Sequence, residues 1–80
     1  NYPNPFNPVT TIAFDLPESE VVKIRVFDLL GKVVATLHEG KLAAGYHKFN
    51  FSGVNVPSGV YFYRVESRNF TDVKKMTLVK

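Results

Sequence analysis

The sequence has no cysteine and no tryptophan among its 80 residues. Without cysteine, neither a disulfide nor a thiolate metal site can form, and this absence fits a cytosolic protein as well as an exported one. A chain of this length buries only about 60–65% of its unfolded surface. Burying one phenylalanine contributes roughly 1.5–3 kcal/mol, so we expect Phe14, Phe49 and Phe51 to anchor the core.

Long apolar runs are also missing. No stretch approaches the ~18 apolar residues of a membrane span, so no transmembrane segment is expected. No signal peptide is visible at the N-terminus, and the chain starts at Asn1 without an initiator methionine. We therefore expect a C-terminal piece of a longer protein, whose targeting segment would lie upstream.

Positive charge is only slightly in excess, with ten Lys and Arg against seven Asp and Glu, a net charge of +3. The cations are scattered along the chain, apart from one cluster near its end. Nucleic-acid-binding modules typically show a denser basic stripe or a specific motif. The composition therefore predicts no nucleic-acid partner.

What the sequence does contain is a series of short segments in which apolar residues alternate with polar ones, as in β-strands. The longest covers 58–66, where Tyr61, Tyr63 and Val65 share one face. Both faces carry bulky side chains and no proline interrupts the run, which predicts a central strand.

Five further strands are expected at 10–16, 21–28, 33–38, 46–52 and 73–80. Turn residues separate them, and a hairpin is predicted at 28–32, where Gly31 can supply the positive φ of a short loop. Residues 39–45 are expected to form a loop. The spacing of roughly 8–12 residues predicts an all-β fold, a small antiparallel sandwich of six strands.

The first nine residues contain three prolines, which exclude a helix and favour an extended arm. This arm would make a seventh strand if it pairs with the sandwich. It is otherwise either a linker or a docking element, and its composition favours the linker.

No arrangement of residues predicts catalysis. His38 and His47 are too few for a metal site without further ligands, although loop oxygens leave calcium open. No serine lies in a nucleophile elbow, and the glycines form no phosphate-binding loop. We therefore expect no enzyme activity, no cofactor and no metal site.

The last segment, 73–80, has two interpretations. It is either an edge strand that its lysines protect from aggregation, or an exposed basic and apolar tail that a partner binds. Met76 and Leu78 are expected on one face of it, with Lys75, Thr77 and Val79 on the other.

Several motifs together resemble one family, the type A C-terminal sorting domain of the type IX secretion system, which is immunoglobulin-like. They span nearly the whole chain, in order: NYPNPFNP (1–8), TTIAFDLP (10–17), VFDLLGKVV (26–34), GYH (45–47), SGVYF (58–62), KKM (74–76) and LVK (78–80).

The resemblance implies a non-enzymatic address label covering residues 1–80, behind an upstream cargo domain in the same chain. Such cargo passes through the periplasm of a Gram-negative bacterium and is secreted or held on the cell surface. The implied partners are an outer-membrane translocon and a surface sortase-like peptidase. Partner recognition would fall on Pro3, Pro5, Gly31, Gly45, Gly59, Lys74, Lys75, Met76, Leu78 and Lys80.

Two alternatives remain open from the sequence. The pattern also resembles the immunoglobulin-like domain of flagellar hook-capping proteins, which implies a structural assembly module. An accessory sandwich of a secreted hydrolase, acting as a spacer or binding sugar, would need an exposed aromatic platform, for which Phe62 and Phe70 are the candidates. The glycines, for their part, also suit a purely structural role in turns.

Overall fold

The computed structural model describes residues 9–79, which form six β-strands. Within that range there is no helix, and therefore none long and apolar enough to cross a membrane. The strands are β1 (Val9–Leu16), β2 (Glu20–Asp28), β3 (Val33–Leu42), β4 (Gly45–Ser52), β5 (Gly59–Ser67) and β6 (Thr71–Leu78).

The strands form two antiparallel sheets, one of β1 and β4 and one in the order β3-β2-β5-β6. This is the strand order of an immunoglobulin-like sandwich, with β1 and β4 as strands B and E and the larger sheet as C′-C-F-G. The predicted antiparallel sandwich is confirmed, and β5 is central as expected. The predicted arm, 1–9, lies outside the described residues except for Val9, where β1 begins.

The core lies between the two sheets and follows the predicted alternation. Val22, Ile24 and Val26 on β2 are completely buried. Of the expected anchors, Phe51 is buried, while Phe14 and Phe49 are partly buried against the core. The buried residues form two clusters, the first of Ile12, Leu16, Val22, Ile24 and Val65 and the second of Val26, Phe51, Tyr61, Met76 and Leu78.

The predicted loop at 39–45 is wrong, because β3 continues to Leu42, which pairs with Glu20 on β2. Pairing with β2 therefore overrides the turn signal of Gly40. The register shifts twice along β3, leaving Val34 and Leu37 as extra residues that pack against the core. Such bulges break the period of two, which explains the weak alternation of this segment.

The predicted hairpin between β2 and β3 is confirmed and tightly hydrogen-bonded. The backbone N–H of Asp28 donates to the carbonyl of Lys32 at 2.9 Å, and Gly31 donates to the carbonyl of Asp28 at 3.0 Å. The carboxylate of Asp28 also accepts from the backbone N–H groups of Leu30 and Lys32, at 3.0 and 2.9 Å. Gly31 has a φ of 90°, a conformation that disfavours any side chain.

A side-chain contact fixes the start of β5. The hydroxyl of Tyr61 donates to the backbone carbonyl of Pro57 at 2.6 Å, and the ring is buried in the second cluster. A tyrosine near the start of strand F that bonds back to the preceding backbone is the tyrosine corner of immunoglobulin-like sandwiches. It ties the connection between β4 and β5 to the core.

Removing this hydroxyl tests its contribution. We expect Tyr61→Phe to lower the free energy of unfolding by about 1–2 kcal/mol, because the carbonyl of Pro57 loses its donor while the ring still packs. Urea denaturation followed by circular dichroism measures the change. The control, Tyr46→Phe on an exposed ring, should stay within about 0.5 kcal/mol; equal effects of the two variants would contradict the tyrosine corner.

Candidate functional site

The terminal strand β6 lies at the edge of the four-stranded sheet. Within the described part of the chain it pairs only with β5, from Thr71 opposite Glu66 to Leu78 opposite Gly59. An edge strand has main-chain donors and acceptors along its outer side that a further strand can pair with. Geometrically, β6 can therefore accept an extended segment of a partner.

The side chains of β6 divide between the two faces of the sheet. Met76 and Leu78 are buried in the second core cluster, as their alternation predicts. Lys74 and Lys75 are exposed. A partner can thus contact the lysines directly, whereas Met76 and Leu78 hold the strand against the core.

Three of the predicted recognition residues, Gly31, Gly59 and Leu78, lie at one end of the sandwich, which we call the Gly31 end. Gly31 lies in the turn after β2, and Gly59 begins β5 opposite Leu78. Gly45 begins β4 opposite Leu16, at the other end of the molecule. Pro3, Pro5 and Lys80 lie outside the described residues. The first residue of β1, Val9, pairs with the last of β4, so β1 also starts at the Gly31 end.

The Gly31 end also exposes a group of apolar side chains that the sequence analysis does not identify. Leu30 is 94% exposed and Leu29 68% exposed, both at the tip of the hydrogen-bonded hairpin. Two leucines where turns usually have polar residues are the signal that could have revealed them. Four exposed valines lie at the same end: Val9, Val33, Val54 and Val79.

Gly53 is another structurally important residue that sequence reasoning does not identify. It is buried, and a Cβ atom built there would lie 2.7 Å from Cδ1 of Leu78. The connection between β4 and β5 therefore approaches the terminal strand too closely for any side chain. No local pattern in the sequence indicates this contact, because the two residues belong to distant segments.

The two histidines each pack against a phenylalanine ring. The ring of His38 lies 5.3 Å from that of Phe49, and the ring of His47 lies 5.8 Å from that of Phe14. Each Nε2 atom pairs with a nearby backbone carbonyl, that of Gly40 for His38, at 3.2 Å. Over residues 9–79, no three or more His, Asp or Glu side chains are grouped so that they could hold a metal ion.

A groove of about 620 Å³, lined mostly by charged and polar residues, opens at the end opposite Gly31. Glu20 is its most buried charged residue, and its carboxylate accepts a hydrogen bond from the side-chain amide of Asn69 at 3.3 Å. Acids and bases are mixed in the lining, with Lys41 and Arg68 on the same walls. The amide of Asn69, between β5 and β6, thus holds the carboxylate of Glu20 at the start of β2.

The aromatic platform considered for sugar binding is only half present. The expectation that Phe70 points outward is wrong, because its ring packs against the first core cluster. The turn after β5, closed by the N–H of Ser67 donating to the carbonyl of Phe70 at 2.9 Å, folds the ring inward. Phe62 lies half-buried on the outer face of the large sheet, opposite Phe27.

Comparison with known proteins gives a match to one family model, described as a secretion system C-terminal sorting domain, over residues 1–80. No curated protein and no solved structure matches the chain. The match spans the same range as the motifs quoted from the sequence. It agrees with the resemblance that those motifs indicate.

The contact between Gly53 and Leu78 gives a test of how β6 is held. We expect Gly53→Ala to lower the free energy of unfolding by about 1–3 kcal/mol, because the added methyl group displaces Leu78. Urea denaturation measures the loss, and hydrogen exchange shows whether β6 amides lose protection first.

A double variant provides the control. Leu78→Val shortens the side chain that the methyl group meets, so Gly53→Ala should cost less in that background than in the native chain. If the two losses simply add, Leu78 is not the group that excludes a side chain at position 53.

Proposed function

This chain belongs to the C-terminal sorting domains of the type IX secretion system, and we propose that it directs an upstream cargo protein through the outer membrane by binding the type IX translocon. The family consists of non-catalytic sorting signals of Gram-negative bacteria, for proteins exported to the cell surface or secreted. The cargo in the same chain reaches the translocon from the periplasm, and a surface sortase-like peptidase acts upstream of the sandwich.

The position of β6 at the edge of the larger sheet, with β5 as its one partner among residues 9–79, is the observation that supports this mechanism most directly. A translocon component adds a strand to it through main-chain hydrogen bonds, which bind independently of side-chain sequence. Lys74 and Lys75 border that edge and select an acidic partner segment. Met76 and Leu78 contribute indirectly, because their burial fixes the register in which the edge is presented.

The Gly31 end supplies the second part of the recognition surface. Leu29 and Leu30 project from a turn that four hydrogen bonds hold, so little conformational entropy is lost when they enter an apolar pocket. Gly31 and Gly59 shape this end, and Pro3, Pro5 and Lys80 are further recognition positions in our proposal. Gly45 contributes through the turn at the other end.

A fusion experiment tests the function as a whole. Residues 1–80 are placed behind a signal peptide and a fluorescent reporter in a type IX-competent cell, and the reporter outside the outer membrane is measured with and without the translocon. We expect translocon-dependent exposure. Periplasmic retention of a folded fusion would contradict sorting and favour a structural or accessory module.

Charge reversal on β6 tests the edge. We expect Lys74→Glu with Lys75→Glu to reduce reporter export about tenfold, because like charges across an interface strongly disfavour binding. Both side chains are exposed, so the free energy of unfolding should change by less than about 0.5 kcal/mol each. Lys41→Glu with Lys48→Glu changes the net charge equally on other exposed positions and should leave export intact; equal losses from both pairs would exclude a specific role for β6.

Polar substitution of the hairpin tip tests the second contact. We expect Leu29→Ser with Leu30→Ser to leave stability within about 0.5 kcal/mol per site, since both side chains are already exposed, while export of the reporter falls severalfold. The exposed pair Val21→Ser with Tyr46→Ser, away from this end and outside β6, is the control. Full export by the leucine variant would remove the hairpin tip from the recognition surface.

A further inference from the structure

The outer face of the four-stranded sheet places two arginines side by side. Arg25 on β2 and Arg64 on β5 are direct cross-strand neighbours, an arrangement in which like charges repel. Both guanidinium groups lie over the ring of Phe27, at 5.4 and 4.7 Å from its centroid. The face of the ring attracts both cations and keeps them close together.

One carboxylate serves both arginines. Oε1 of Glu66 lies 3.6 Å from Nη2 of Arg25 and 3.8 Å from Nε of Arg64, which is too long for a hydrogen bond. The Nε atoms of both arginines are buried, and within the described chain neither has a hydrogen-bond partner. A guanidinium has five N–H donors, so the two arginines have N–H groups available for a further acceptor.

Further charges on this face do not neutralise the pair. Lys23 is 3.8 Å from Glu39, so these two groups compensate each other. Lys75 stands opposite Phe62, which itself stands opposite Phe27. It therefore adds a third cation to the same face, and positive charge remains in excess around Phe27.

We propose that this face is a docking surface for an acidic segment of a partner protein, whose carboxylate binds Arg25 and Arg64 in place of Glu66. The planar fork of each guanidinium matches the two oxygens of a carboxylate. The surface lies on the face of the sheet and not at its edge, and it does not depend on the proposed export function.

The composition of the face favours a protein over a lipid surface. Phe27 lies beneath the guanidinium groups, so its ring cannot enter a bilayer. The arginines are only 26% and 32% exposed in their side chains, unlike the extended lysine clusters that bind anionic lipids. Arginine and aromatic residues, with the exposed Val73 opposite Arg64, are typical of protein interfaces.

A titration of the 80-residue chain tests the proposal. The probe is a capped five-residue peptide of alternating glutamate and valine, and the readout is the shift of the arginine side-chain Nε–H signals in nuclear magnetic resonance spectra. We expect Arg25→Gln and Arg64→Gln each to weaken binding about tenfold, because a charge-assisted hydrogen bond is lost. Arg68→Gln, which removes the same charge from the turn after β5, should change it less than twofold.

Glu66→Gln gives the sharper test. It removes the carboxylate that competes with the ligand, so we expect peptide binding to strengthen about threefold, as for loss of a partly exposed ion pair. Glu39→Gln changes the net charge equally but frees Lys23 instead and should have a smaller effect. If both variants strengthen binding equally, the surface responds to net charge alone and the proposal fails.

Two further measurements test whether the variants fold and whether the surface binds lipid instead of protein. Circular dichroism checks that each variant is folded, and Arg25→Lys, which keeps the charge without the fork, replaces Arg25→Gln if that variant unfolds; it should still weaken binding severalfold. Phosphatidylglycerol vesicles replace the peptide in a parallel titration. Binding of vesicles but not of peptide, lost in the arginine variants, would overturn the protein assignment in favour of a lipid surface.

Discussion

The burial of one row of side chains on β2 is the constraint on which the sandwich depends. Val22 and Ile24 belong to the first core cluster and Val26 to the second, so this single strand joins both halves of the interior. Each such side chain contributes roughly 1.5–3 kcal/mol when fully buried. β2 also pairs with β3 on one side and β5 on the other, so it positions the central strand and, through it, the terminal edge.

The sequence predicts those features that depend on neighbouring residues. The alternation of apolar and polar residues correctly predicts which side chains of each strand except β3 face the core. Asp28 and Gly31 are sufficient to predict the hairpin. Features that depend on distant segments could not be predicted in this way. The length of β3 follows from its bulged pairing with β2, and the contact of Gly53 with Leu78 follows from packing between remote strands. The hydrogen bond from the hydroxyl of Tyr61 to the carbonyl of Pro57 could have been predicted, since the two residues are close in sequence.

The terminal motif combines two tasks in one strand because the side chains of a strand alternate between faces. Met76 and Leu78 are buried, while Lys75, on the opposite face of the strand, remains exposed. The sequence predicted this division but left open whether the segment is an edge strand or a free tail. Within the described residues it is the edge strand of the larger sheet, with its buried side chains turned toward the core.

The pairing of early with late residues has a kinetic consequence. Val9 pairs with Ser52 and Val22 with Ser67, so neither sheet closes until most of the chain has been synthesised. Sandwiches dominated by such distant pairings fold slowly, roughly in milliseconds to seconds. Because β6 pairs with β5, it can dock only after that strand is in place. Met76 and Leu78 also pack with Val26 of β2 and Phe51 of β4, so the edge of β6 is held in its native position only when the two sheets have packed.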